Sequence, residues 1–468
     1  MTAQDISTIL NVPGVNYFYD QEKDACFVVN TSDESQRCYC HELKTSQTDA
    51  LIQRLHIKEF GKLLPETKLK QFNQMLEFGI REKGVFDTAR TRVYKKGSKI
   101  FVDLGDGLFA VIKADKVILT HKVPVKFLHN SGMGVKVTPD LDNGDIALLH
   151  KYLRVRDEQF KLILTFIFNC FFTDTHYLML LLLGPAGSGK SFIQKVIKTV
   201  VDPNVVMLRN QTGKVEDLVL AGAHSHLPDF NNLSKLSSGI QDALCTMLTG
   251  GCATTRTKYT NKGQSAIHTH NPVLANGIGN IVSREDLYER TVTIQLRKIE
   301  GSKTEIIPES ELWADFLADL PVIMGGIFNA LSDILFQFKT FDRPSHLTRM
   351  ADFHLLGLVT EIALGWQEGS FEEAYRNNIT IGHDDVLIDS SVAQALIKWK
   401  ELGNSEIAGT YDQIKSSLNR YVGLGGVTPR ALSAELDRLS GALQNIHGIK
   451  IKKLARSSAG SRIKIICG

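Results

Sequence analysis

The clearest pattern lies mid-chain. Tyr177 to Leu183 reads YLMLLLL, an apolar run of strand length. A glycine-rich loop follows, then FIQKVIKTVV with apolar residues at helical spacing. A strand that is apolar on both faces is covered on both sides, as in a parallel sheet. The alternation continues through strand NVVML, helix VEDLVLAG, strand HLPDF, helix SSGIQDALCTML, a hairpin through KYTNKGQS, strand PVLANGI, helix SREDLYERT and strand VTIQLRKI. Strands alternating with helices predict a parallel α/β sheet across Tyr177 to Ile299.

The flanks differ. NYFYDQEKDACFVVN and QRCYCHELK read as two short strands around a hairpin turn at Thr31 to Ser35. Asp49 to Gly84 reads as helical, a β-rich block starts at Thr91, and Leu141 to Phe172 is mainly helical. Glu309 to Lys400 has the pattern of a helical bundle, and Gly403 to Gly468 of a compact small domain. LILTFIFNCFFTDTHYLMLLLL is no membrane span, because Thr173-Asp174-Thr175-His176 divides it and a span needs about 20 apolar residues. Within the small domain, YDQIKSSLNRYV is a helix. Thr428-Pro429 supplies the N-cap and first residue of the next helix, and Gly448 ends it. GIKIKKLAR and SRIKIICG follow as two strands. Two helices and a two-stranded wing predict a winged helix.

Composition places this among globular proteins: 43% hydrophobic and 22% charged over 468 residues, which excludes disordered and collagen-like chains. The net charge of +3 conceals an asymmetry. Tyr411 to Gly468 holds ten Lys/Arg against three Asp/Glu, so this end carries +7 and the rest −4. Lys450, Lys452, Lys453, Arg456, Arg462 and Lys464 lie on the wing, with Arg430 and Arg438 on the helix before it. That concentration suits duplex DNA phosphates; a protein-docking winged helix is the alternative. The seven cysteines are odd in number and no secretory signal opens the chain, so a reducing, cytoplasmic location is expected. Cys26, Cys38, Cys40 and His41 lack a usual zinc spacing, and a packed hairpin is expected there.

Chemistry concentrates in Gly184-Pro185-Ala186-Gly187-Ser188-Gly189-Lys190-Ser191, which fits G-x-x-x-x-G-K-[ST] between a strand and a helix. Its glycines let backbone N–H groups cradle phosphates, Lys190 would reach the β- and γ-phosphates of ATP, and Ser191 would ligate Mg²⁺. An acid on a neighbouring strand should help hold that ion. In HSHLPDFNNLS, Asp229 is the sole acid, followed by Asn231 and Asn232; a plain polar strand exit also fits. Asn276 closes an apolar strand, either to orient water or to form an Asn-Gly turn. Arg284 and Arg290 are candidate arginine fingers for a neighbouring subunit, or ordinary salt-bridged arginines. Arg256, Lys258 and Lys262 surround a hairpin tip suited to a phosphate backbone, or to plain exposure. Arg349 is either a second sensor or a packing residue.

Together GPAGSGKS, FNNLSKLSSGIQDALCTMLTGG, RTKYTNKG, NPVLANGI and SREDLYERTVTIQL resemble the superfamily 3 helicases within the AAA+ ATPases, in particular phage and mobile-element proteins related to primase-helicases. The resemblance implies that Lys190 and Ser191 form Walker A, Asn276 is sensor 1, Arg290 the arginine finger and Lys262 the mark of a hairpin gripping single-stranded DNA. One departure stands out. The family's Walker B aspartate falls on Asn231, so either Asp229 takes over or hydrolysis is impaired; Asp229 is the expected residue.

The expectation is therefore a P-loop AAA+ core of α/β class (151–300) with an N-terminal α+β accessory region (1–85), a β-rich adapter (86–150), a helical extension (301–400) and a C-terminal winged helix (401–468). The expected activity is ATP- and Mg²⁺-dependent DNA translocation by a homo-oligomeric ring, a hexamer by resemblance. A separate primase or polymerase is the expected partner, and no membrane. The alternatives are a nucleotide-dependent DNA-binding switch with little hydrolysis, and a defence or protein-remodelling ATPase.

Overall fold

The computed structural model describes residues 14–31, 33–83, 85–129, 132–134, 137–210, 213–256, 264–279, 281–298, 307–388, 390–457 and 460–467. At its amino end β1 (Val15–Asp20) and β2 (Ala25–Asn30) form an antiparallel hairpin. The Asp20 carboxylate accepts from the N–H groups of Glu22 and Lys23 at 2.9 and 3.2 Å. This local turn bond divides a stretch whose pattern suggested one strand. Across the polar stretch, β2 pairs with β3 (Tyr39–Glu42) as expected. Helices α1 (Ser46–Phe60) and α2 (Glu66–Lys83) follow. Gly61 caps α1 in the left-handed conformation, so the expected continuous helix is two.

Strands β4 (Val85–Phe86) and β5 (Ala89–Arg90) belong to the first sheet. The meander β6 (Val93–Lys96), β7 (Lys99–Gly105), β8 (Leu108–Lys113) and β9 (Lys116–Thr120) forms a second. With β10 (Lys126–Leu128) the first sheet runs β4-β1-β2-β3-β10-β5. Cys38 and Cys40 are both buried, in different apolar clusters.

Helices α3 (Leu148–Leu153) and α4 (Asp157–Asn169) lead into the central layer. Its elements are β11 (Met179–Leu183), α5 (Lys190–Val201), β12 (Arg209–Asn210), α6 (Val215–His224), β13 (Asp229–Leu233), α7 (Ser238–Thr249), β14 (Gly251–Arg256), β15 (Gln264–Thr269), β16 (Val273–Gly277), α8 (Glu285–Tyr288) and β17 (Thr291–Gln295). Five strands form one sheet, ordered β12-β13-β16-β11-β17. Every pairing is parallel, as the alternation predicts. The apolar run is covered on both faces: Leu180 and Leu182 enter one core cluster, Met179, Leu181 and Leu183 another. The expected strand NVVML does not form. Val205 and Val206 are 73% and 56% exposed, and only the edge pair of β12 joins the sheet. β14 and β15 make a separate hairpin.

The helical extension comprises α9 (Glu309–Gln337), α10 (Ala351–Ala363), α11 (Ser370–Ile388) and α12 (Ser391–Glu401). By length and composition α9 passes for a membrane span, but 67% of its apolar window is buried inside the protein. β18 (Glu406–Thr410), α13 (Tyr411–Leu418), α14 (Pro429–His447), β19 (Ile449–Ser457) and β20 (Gly460–Cys467) complete the chain. Thr428 caps α14 and Gly448 ends it as the sequence predicts. The expected two-stranded wing is a three-stranded antiparallel sheet, β18-β20-β19; EIAGT carries too little alternation to show as a strand. This terminal unit shares a continuous core with the central sheet. Leu432, Leu436, Leu439 and Leu443 of α14 cluster with Phe230, Ile240 and Val273.

One buried charge cluster joins the amino-terminal sheets to the central one. Asp202, which follows α5, is 1% exposed. Its carboxylate accepts from Arg92 Nε at 3.1 Å and Lys198 Nζ at 2.9 Å. Ser225 Oγ and the Leu227 N–H add 2.8 and 3.0 Å bonds. Burial alone would raise its pKa, but Lys198 and Arg92 outweigh it and hold the carboxyl well below the ordinary range. Arg92 also donates to the carbonyls of Gly134 and Pro203 at 2.7 and 2.9 Å. Removing one partner of a buried pair strands the other. Asp202→Ala should therefore lose roughly 3–5 kcal/mol, measured by urea denaturation. Because the folded carboxyl is depressed, the wild-type advantage should persist above the usual carboxylate range and shrink only as pH falls below it.

Candidate functional site

The glycine-rich loop leaves the carboxyl end of β11, between neighbours β16 and β17. Strand order switches direction around β11, and such a crevice is where parallel sheets bind ligands. Gly187 and Gly189 have φ of +77° and +80°, and Gly189 is the N-cap of α5. At Gly184 a Cβ would lie 2.7 Å from the Leu296 carbonyl oxygen and 2.8 Å from Ser188 Oγ, so glycine is required by close approach. Pro185, Ala186 and Gly187 form the exposed crest. Lys190 folds back, and its Nζ donates to the carbonyls of Gly184 and Pro185 at 2.7 and 2.8 Å. Burial lowers its pKa. Loop N–H groups and the start of α5 together form a cradle for an anion.

Behind the loop stands a relay of neutral amides. Ser191 Oγ donates to Asn231 Oδ1 at 3.2 Å, and Asn276 Nδ2 donates to the same oxygen at 2.7 Å. Asn276 Nδ2 also contacts Gln194 Oε1, and its own Oδ1 accepts from the Asn232 N–H at 2.9 Å. Asn232 takes a φ of +55°, which turns the chain back toward Asn276. Asp229 lies at the edge of this relay and accepts from Gln194 Nε2 at 3.5 Å. It is fully buried, accepts from the Leu208 N–H at 2.6 Å and lies 3.8 Å from Arg209 Nη1. Residues two apart on a strand share a face but stand about 7 Å apart along it. Asp229 therefore sits one step below the loop, and Asn231 is the residue brought to Ser191. Gln194 was not singled out from the sequence. Its signal was its place three residues after Ser191 on the same face of α5.

A cavity of about 530 Å³ adjoins the loop at Ser188 and Gly189. Leu153, Val155, Phe192, Leu296 and Leu312 make its apolar walls, with Arg156 at its polar side.

Arg290 lies at the far end of the sheet. Thr291 pairs with Met179, whereas the loop follows Leu183, which pairs with Gln295. Four residues of strand separate these ends by about 13 Å. Arg290 Nη1 bonds the Asp286 carbonyl at 2.6 Å and its carboxylate at 2.5 Å. Arg349 shares that carboxylate at 2.5 Å and also pairs with Glu289. Arg284 pairs with Asp242 at 3.2 Å.

Residues 148–385 match the family of actinomycete integrative conjugative element replication proteins. The matched span is half of the 468 residues. The chain belongs to this family. No curated protein matches it. Among solved structures it is similar to an active helicase, Cch of SCCmec type IV, at 12% identity over 97% of this chain and 92% of that one, with a TM-score of 0.46. It is also similar to the apo C-terminal region of NrS-1 in its A form, at 12% identity over 99% and 98%, with a TM-score of 0.38.

In this element replication protein the family span takes in the loop, Asn231, Asn276 and Arg290. The amino-terminal sheets and the terminal sheet lie outside it. Arg256 ends β14, while Lys258 and Lys262 lie outside the described residues. On the terminal sheet, register puts Lys450 and Lys452 opposite Ile466 and Lys464, and Arg462 opposite Leu454, all on the face away from Ile449, Ile463 and Ile465. Lys464 pairs with Glu406 at 2.8 Å. Lys453 departs from the expected cluster: it faces α14 and pairs with Asp437 at 2.8 Å. Arg456 belongs to β19, with its side chain outside the description.

Asn276 is the joint of the amide relay, with no exposure. Asn276→Leu removes that joint and leaves the Asn232 N–H unmatched. The expected loss is about 1–3 kcal/mol in chemical denaturation, with the fold retained by circular dichroism.

Proposed function

We propose that the protein is an ATP-driven helicase or translocase of the superfamily 3, AAA+ type, acting as a ring on single-stranded DNA for replication of its element. The observation that carries this is the phosphate loop at the sheet's switch point, with Ser191, Asn231 and Asn276 converging behind it. Membership of an element replication family supports a DNA substrate. The cavity at Ser188, about 530 Å³, falls in the size range of small-molecule sites. On binding ATP, Lys190 exchanges the Gly184 and Pro185 carbonyls for the β- and γ-phosphates. Asn276 orients the attacking water. Arg290 cannot reach its own loop, so a role at the nucleotide requires a neighbouring copy; this supports a ring, which we take to be a hexamer. A bound Mg²⁺ would supply charge neutralisation at the phosphates, held by Ser191 and the Asn231 amide. Those donors suit a metal that takes most of its ligands from phosphate and water.

Arg256, Lys258 and Lys262 grip the single strand at the hairpin. The terminal unit acts as a winged helix on duplex DNA through Lys450, Lys452 and Arg462, with Lys453 and Arg456 beside them. The chain divides at 85, 150, 300 and 400 by role, and a separate primase or polymerase completes replication. A second reading has its own observation. Asp229 is taken up by Leu208 and stands beside Arg209, leaving no carboxylate at Ser191. On that reading the protein is a nucleotide-dependent DNA-binding switch that hydrolyses slowly.

ATP turnover with and without single-stranded DNA tests both readings. The motor predicts stimulated turnover that Lys190→Ala abolishes; turnover with no stimulation, and none lost in Lys190→Ala, would sink it. Asn231→Asp should raise turnover roughly tenfold, because a carboxylate bonds a cation about twice as strongly as a neutral group and 1.4 kcal/mol is tenfold. Unchanged turnover there would return the role to Asp229.

A further inference from the structure

The amino-terminal sheets carry an unassigned groove in two connected halves. The first, about 390 Å³, lies between the first sheet and the meander, with the rings of Tyr19, Phe86 and Tyr94 beside Arg90, Lys96 and Lys126. The second, about 350 Å³, adds Lys23 and Lys95 and runs to His268 and His270. Glu22, Arg90 and Tyr94 line both halves, so the groove is continuous.

Three observations give it a ligand class. Phe86 sits on a two-residue edge strand with 62% of its surface exposed, and its neighbour Val85 is 69% exposed. Burial would favour these side chains elsewhere, but an exposed ring beside cations is what base stacking uses. Tyr19 lies edge-on to Phe86 at 6.1 Å, and the Arg90 guanidinium stacks on Tyr94 at 4.4 Å. Cations also outnumber acids. Lys23, Arg90, Lys95, Lys96 and Lys126 face Glu22, Asp87 and Asp174, of which Glu22 is tied to Arg90 and Asp174 to Lys95. Finally, the second half ends at the base of the β14–β15 hairpin, because His268 lies on β15.

We propose that this groove is a second binding segment for single-stranded DNA, with bases stacked on Phe86 and Tyr94 and phosphates met by Lys96, Arg90 and Lys126. It rests on the reading that the hairpin holds a single strand, and it gives that strand its path along the amino-terminal sheets. Short strands would occupy the hairpin alone, and longer ones would fill the groove too.

The test uses the full chain and fluorescein-labelled oligothymidylates of short and long length, read by anisotropy. Wild type should bind the long strand more tightly than the short. Phe86→Ala and Lys96→Glu should each weaken long-strand binding, Phe86→Ala by roughly 5- to 100-fold, while leaving the short strand and a fluorescent ATP analogue unchanged. Phe86→Tyr should retain the long-strand advantage. Both side chains are exposed, so neither change touches the core. Affinities equal to wild type at both lengths in both variants overturn the groove while leaving the motor reading intact. Equal loss on a duplex of the same length overturns its single-strand character. A length advantage that depends on Phe86, together with turnover that DNA does not stimulate and Lys190→Ala does not reduce, supports the groove and defeats the motor. No binding of either strand by wild type overturns the groove and the hairpin grip together.

Discussion

Asp202 sits where a helix least favours negative charge, at a carboxyl end whose backbone dipole is already negative. The helix is the one that begins at the glycine-rich loop. Two buried cations make the position tenable: Lys198 from the last turn of that helix, and Arg92 from the amino-terminal sheets. Arg92 also satisfies the carbonyls of Pro203 and Gly134. The far end of the loop helix is thereby fixed to a different part of the chain. Pairs of this kind contribute little net stability compared with apolar packing, but they tolerate only one arrangement. Loop position, central sheet and amino-terminal sheets share one reference point.

At the other end of the helix, behind Lys190, the polar side chains that meet are mostly neutral. Ser191, Gln194, Asn231 and Asn276 bond one another, and one carboxylate touches the set, where Gln194 Nε2 donates to Asp229 at 3.5 Å. The group bonded to Ser191 is an amide, which would not repel an anion at the loop. It also attracts a divalent cation less strongly than an acid would. The two ends of one helix thus differ, with a buried ionic cluster at one and a set of amides behind the glycine-rich loop at the other.

The central sheet was legible because its strands are covered on both faces and its helices are amphipathic. Leu180 and Leu182 on one side, and Met179 and Leu181 on the other, leave no ambiguity of period. The loop was legible because glycine and lysine spacing carries the chemistry itself. What failed to show has a physical cause in each case. NVVML has strand composition, but its start bridges Met133 instead, and only Arg209 and Asn210 pair with the sheet. EIAGT has little strand composition, and it forms a strand because β20 offers an edge. Asp229 was favoured because it is an acid. Its burial beneath Leu208 depends on a contact 21 residues away, which spacing cannot report. Lys453 counted as one of a cluster of cations until register turned it to the helical face.

The continuous core between α14 and the central sheet also bears on modularity. Gly441 packs so tightly on Glu285 that a Cβ there would lie 1.9 Å from the carboxylate oxygen. Glu285 opens α8, the short helix that precedes Arg290. The terminal unit therefore packs, through α14, on the segment that carries Arg290. A chain cut at the apparent boundary near residue 401 would be divided through its own oil, exposing leucines on both halves.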